Sequence, residues 1–138
     1  MHLQGLWTDS QIAPLKRVVD FCHTQGTKIG VQLAHAGRKA STYAPWVHSD
    51  PTRKHVADTY TASEEENGWP NNTYAPSAVP HSDKYPMPKE MTEQDMQYVE
   101  DAFVAATERS KAAGFDFIQN HFSHGYLYVP LFCTNRGY

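Results

Sequence analysis

The chain has 138 residues, 40% of them hydrophobic and 20% charged, with a formal net charge of −3. That length suits one modest domain with a real core. The weak charge argues against a general binder of nucleic acid or membrane surface, and no apolar run approaches spanning length. The start, MHLQGLWTDSQ, lacks the charged head and apolar core of a signal peptide. The two cysteines, Cys22 and Cys133, lie far apart, which favours a reducing compartment over a disulfide framework. The sequon at Asn71-Asn72-Thr73 reads as chance without a secretory signal.

In chain order, Thr8 to Gln25 predicts a helix. Ile12, Leu15, Val18, Val19 and Cys22 recur at helical spacing, Thr8 with Gln11 resembles a capping box, and Gly26 is the natural stop. Pro14 pushes the start later or bends the first turns. Lys28 to Ala34 predicts a strand, with Ile29, Val31 and Leu33 on one face and Gly30, Gln32 and Ala34 on the other.

Ser41 to Glu90 differs in kind. It holds seven of the nine prolines, the acidic run Glu64-Glu65-Glu66, several tyrosines, and Trp46 and Trp69. A loop this long inside a compact domain signals a binding loop, a lid or disorder, and the aromatic residues favour a partly ordered excursion.

Thr92 to Ala113 is the clearest helix. Thr92 and Asp95 form a capping-box pattern; Met96, Val99, Phe103, Ala106, Ser110 and Ala113 make one stripe, and Gly114 ends it. Phe115 to Asn120 predicts a second strand. Helix, strand, long loop, helix, strand is the rhythm of α/β units with parallel strands.

Both strands end in polar chemistry. The first is followed by His35, Arg38 and Lys39 and carries Gln32; the second is followed by His121, His124 and Tyr126. The carboxyl ends of parallel strands form the ligand face of such folds, so the two ends are expected to converge on one site. Amides and histidines suit a polar heterocycle or a carbonyl oxygen, and Tyr126 suits proton donation. Taken singly, each residue also has a structural reading. Gln32 satisfies neighbouring backbone, His35 is a core histidine, Arg38 and Lys39 are an exposed pair, and the tyrosines pack. His121-x-x-His124 is also half of a metal site, though no third and fourth donor follows.

The segments IGVQLAHAGRKAS, APSAVP and AAGFDFIQNHFSHGYL, in that order with a proline-rich spacer, resemble the old yellow enzyme family. The branch is that of NADPH dehydrogenases and ene-reductases with two active-site histidines. The resemblance runs from Leu6 to about Leu127. It implies a TIM (β/α)8 barrel holding FMN, of which residues 1–138 cover about the second helix to the fourth strand, with residues 41–90 as a long loop on the catalytic face.

It further implies that Gln32 binds the flavin's pyrimidine edge. His121 and His124 grip the substrate's carbonyl oxygen, Tyr126 protonates its α-carbon, and Lys39 contacts substrate. NADPH is the reductant and an enone or similar small molecule the substrate. The implied location is the cytoplasm, and the full-length family implies a homo-oligomer. A barrel needs about 250 residues and eight strands, so the chain is expected to be part of an ene-reductase. The alternatives are a non-catalytic remnant or interaction module without cofactor, and a histidine-based metal domain. Phe122, between the histidines, is expected to crowd the site, and of the closing stretch from Tyr128 only Asn135-Arg136 echo the family.

Overall fold

A computed structural model describes residues 5–48 and 58–128 of the chain. Cys133 and the Asn135-Arg136 echo lie outside the described residues. Seven helices and strands follow in order among the described residues: α1 (Ile12–Thr24), β1 (Gly30–Leu33), α2 (Pro45–His48), β2 (Tyr74–Ala75), β3 (Lys89–Glu90), α3 (Glu93–Ala113) and β4 (Phe117–Asn120). They divide into two compact units. Of the described residues, one unit holds 5–34 and 92–121; the other holds 35–48, 58–91 and 122–128. No helix among the described residues is long and apolar enough to cross a membrane.

The first unit is α/β. β1 and β4 pair in parallel, Gly30 opposite Phe117 and Gln32 opposite Gln119, as the sequence predicts. Gly30 lies under the Phe117 side chain in that register. A Cβ there would lie 2.2 Å from the Phe117 ring, which covers it. α1 packs against α3, and α3 reaches β1. Val19, Ser110 and Ala113 are fully buried, with Leu6 and Leu33 close behind. Val18, expected in the apolar stripe of α1, is exposed, as is Phe21. The buried face of α1 is therefore narrower than the sequence stripe.

The helix ends follow their local chemistry. A 3-10 turn over Asp9–Gln11 precedes α1, and the Gln11 side chain accepts Thr8 N–H at 2.9 Å. Pro14 lies in the first turn of α1, where a missing N–H costs little. Thr92 caps α3 by accepting Asp95 N–H at 3.2 Å, and Asp95 Oδ2 accepts Thr92 N–H at 2.8 Å. Gly26 and Gly114 stop the two helices at positive φ.

Asp116 ties three segments of this unit. Its carboxylate accepts Lys28 Nζ at 2.7 Å, Ile29 N–H at 2.9 Å and His23 Nε2 at 2.8 Å. These donors hold the Asp116 carboxyl well below the usual carboxylate range.

The second unit gives the proline-rich stretch more order than a loop. β2 and β3 form their own parallel pair, closed by Lys89 N–H to Thr73 O at 2.8 Å and Met91 N–H to Ala75 O at 2.9 Å. Thr42 and Thr61 form an antiparallel bridge. Ser41, buried, donates to Ala62 O at 3.2 Å and accepts Trp69 N–H at 2.7 Å. Lys84 O gathers Tyr60 N–H at 2.9 Å and the Thr61 hydroxyl at 3.1 Å. Leu127, Ala75, Thr73 and Pro88 lie at its centre.

Candidate functional site

In the α/β unit, the site candidates are Gln32 and His121. Gln32 stands exposed on β1, and its Nε2 donates to Gln119 Oε1 at 3.0 Å on the paired strand. Its own Oε1 accepts nothing among the described residues. His121 follows β4 directly, half-buried, and its backbone N–H donates to Leu33 O at 2.9 Å, extending the ladder one residue past the strand.

In the second unit, Gly37–Lys39 form a 3-10 turn and His35 folds onto it. His35 Nδ1 accepts Gly37 N–H at 3.0 Å, so the neutral ring carries its proton on Nε2. Burial pushes the His35 pKa down, against a smaller opposing effect of a backbone hydrogen bond. Gly37 has φ +57, and a Cβ there would lie 2.8 Å from Leu127 N, so only glycine permits this approach. Leu127 N–H donates to His35 O at 3.1 Å, and Lys39 Nζ donates to His124 O at 2.8 Å. The GRK turn and the HGYL segment are thereby bolted together.

His124 occupies an unusual backbone. It has φ 60 and Gly125 φ 67, and Tyr126 N–H closes on Ser123 O at 3.2 Å. Two successive positive φ values are the pattern of a type I′ turn. The turn sets the His124 and Tyr126 rings 6.4 Å apart at 78°. Phe122 stacks on Tyr128 with centroids 4.4 Å apart.

Arg38 is not an exposed loop residue. It is half-buried, its Nη1 donates to Val79 O at 2.8 Å and its Nη2 to the Ser77 hydroxyl at 3.3 Å, which ties it to the APSAVP segment. Reading the sequence alone passes over His81, Tyr60 and Tyr85. Tyr85 lies edge-on to His81 at 4.9 Å and tilted on Tyr60 at 5.2 Å. The Tyr85 hydroxyl is pushed up by burial, then by Tyr60 and Tyr126. His81 is pushed down by burial, then by Lys39 and Arg38. No spacing in the sequence announces these residues, since none lies at a strand end.

The structure thus brings Lys39, His124 and Tyr126 together in one unit, and Gln32 and His121 in the other. No group of three or more His, Cys, Asp or Glu among the described residues is placed to hold a metal.

Comparison with solved structures defines the class first. Morphinone reductase matches 89% of this chain at TM-score 0.66 with 23% identity, over 31% of its own length. Histamine dehydrogenase from Rhizobium sp. 4-9 matches 88% at TM-score 0.59 with 28% identity, over 15% of its length. The fold is therefore that of a TIM-barrel segment, with parallel strands and without a closed barrel among the described residues.

The family model for the NADH:flavin oxidoreductase / NADH oxidase family matches residues 2–136, and the chain belongs to that family. Curated relatives agree. An NADH:flavin oxidoreductase of Gibberella zeae is 45% identical over 124 residues. NADPH dehydrogenases of Listeria monocytogenes and Geobacillus thermodenitrificans are 39% and 36% identical over 123 and 126 residues. The chain spans 28–29% of the length of these relatives while the matches take in 89–91% of the chain itself.

The residues present fit a flavin in one respect that the structure itself supplies. The pyrimidine edge of a flavin alternates carbonyl oxygens with an N–H. Gln32, exposed and with an open Oε1 acceptor, carries the matching donor and acceptor types.

Proposed function

We propose that this chain supplies the flavin-edge and carbonyl-binding residues of an FMN-dependent, NADPH-oxidising ene-reductase that acts on activated C=C bonds of enones. The observation that carries the reading is the backbone of His124. A non-glycine residue at φ 60 is costly and persists where its surroundings over-determine it, as at ligand sites. Here Lys39 on its carbonyl and the Tyr126 N–H on Ser123 do so.

In this reading the Gln32 amide binds the pyrimidine edge of the flavin, which when bound supplies hydride relay between NADPH and substrate. His121 and His124 donate N–H groups to the substrate's carbonyl oxygen. Their donors stabilise the enolate-like charge that develops there. The Tyr126 hydroxyl gives its proton to the α-carbon. Lys39, with one of its three donors on His124 O, orients that histidine and keeps donors for substrate.

A chimera tests this. Residues 6–127 replace the matching segment of the Listeria monocytogenes NADPH dehydrogenase, and flavin content and 2-cyclohexenone reduction are measured. One bound flavin per chain and NADPH-dependent turnover are expected. A folded chimera, by circular dichroism, without flavin or without turnover defeats the reading.

A further inference from the structure

We propose that Arg38, Lys39 and His81 form a cationic cluster that binds an oxyanion, a phosphate or carboxylate group, separate from the carbonyl contact given to the two histidines above.

The argument begins with charge that has no counter-charge. Arg38 and Lys39 are adjacent cations, and neither pairs with a carboxylate among the described residues. Arg38 bonds only neutral acceptors, Val79 O and the Ser77 hydroxyl, and Lys39 only the carbonyl of His124. The Arg38 Nε is buried and has no hydrogen-bond partner among the described residues. Removing a cation from water without an anion is unfavourable, and a carbonyl offsets only part of that cost. Two of the five guanidinium N–H donors and one of the three ammonium donors are engaged.

Among the described residues no carboxylate bonds to either cation. Asp83, the nearest acidic residue to His81 in sequence, is exposed and makes no ion pair or hydrogen bond among the described residues. Glu66 is turned to Tyr43 and Ser63. His81 stands near enough to both cations for their charge to disfavour its own protonation, after burial itself. The Tyr85 ring lies edge-on to His81 at 4.9 Å. A guanidinium, an ammonium and an imidazole, with no carboxylate bonded to either cation among the described residues, are the groups that recognise phosphate and carboxylate oxygens. In a flavin oxidoreductase such a group has two sources: a phosphate of the nicotinamide nucleotide, or an acidic substituent of the organic substrate. The inference rests on the cluster itself and goes beyond the flavin reading.

The test follows the His81 ring proton resonances of the 138-residue chain by NMR, at fixed pH and ionic strength, as inorganic phosphate replaces chloride. A saturable shift is expected, weakened about tenfold in Lys39→Gln. Arg38→Gln should abolish it. Because Arg38 also ties Ser77 and Val79, Lys39→Gln decides the matter if Arg38→Gln unfolds. As a second measurement, phosphate should raise the unfolding midpoint of the parent chain and not of Lys39→Gln. A linear, chloride-like response, or identical curves for parent and Lys39→Gln, overturns the proposal. With the site present, NADP+ and benzoate separate the sources. Competition by NADP+ alone assigns the nucleotide, by benzoate alone an acidic substrate. No flavin enters the titration, so its failure and that of the flavin reading are distinct.

Discussion

At residue scale, His124 trades backbone comfort for position. The left-handed region costs a non-glycine residue about 1–2 kcal/mol. His124→Gly should therefore be more stable to urea than His124→Ala by about 1 kcal/mol, although both lose the imidazole. Equal midpoints would show that the turn, and not the side chain, sets this φ. Gln32 invites a complementary test in the chimera. Gln32→Leu leaves a flavin group unpaired and should weaken FMN binding by about 1–3 kcal/mol in a fluorescence titration. Unchanged affinity would make the amide a strand-pairing residue, through its bond to Gln119. Asp116 gives a pH dependence. Its folded-state pKa lies below the unfolded value of about 3.9. Its stabilisation is therefore full above that value and is lost as pH falls through the carboxylate range toward the lower folded value. Acid titration of unfolding should show a shallower loss below about pH 4 in Asp116→Asn than in the parent. Parallel curves would mean that the Lys28 and His23 contacts are immaterial.

At element scale, α3 is specified almost wholly by its own residues. Thr92→Ala removes the acceptor of Asp95 N–H, and unfolding free energy should fall by about 1 kcal/mol. A loss below a few tenths would mean that water replaces the cap fully. The same locality explains why α3 and α1 are legible in the sequence. Caps, stops and a 3.6-residue stripe are written within a single segment. β1 is legible for a related reason, since Val31 and Leu33 alternate with Gly30 and Gln32, while β4 is legible as the short segment that follows the Gly114 stop. β2 and β3 are not, because two residues show no alternation. Their partners are found through backbone atoms such as Thr73 O and Ala75 O, which carry no sequence signal.

At the scale of the whole molecule, the proline-rich segment is a unit with its own buried centre, where the sequence suggests an excursion. Proline there fixes turns that nonlocal hydrogen bonds complete, and composition reveals the first and not the second. The candidate site divides along the same line. Gln32, His121, His124 and Tyr126 can be named from motif and strand end. His81 and Tyr85 cannot, since only the fold of residues 77–86 brings His81 near Arg38 and Lys39. The chain covers 28% of the relative from Gibberella zeae. Expressed as these 138 residues alone, it should retain no stoichiometric FMN after gel filtration, because a single amide is a small part of a flavin's contacts. One flavin per monomer, with cyclohexenone turnover, would refute this.

The parallel register of β1 and β4 also imposes an order in time. Gly30 and Phe117 are 87 positions apart, and every intervening residue must be synthesised before they meet. At the usual 5–20 residues per second, that is an interval of about 4–17 s for a nascent chain. Throughout it, the edge of GVQL has no β4 to pair with and is open to the wrong strand. Closing so long a loop then costs about 4 kcal/mol of chain entropy before the ladder forms. The residues made during the wait include the β2–β3 pair of the second unit, but not Leu127, which lies at that unit's centre. The β1–β4 ladder can thus close before the second unit has all of its own centre.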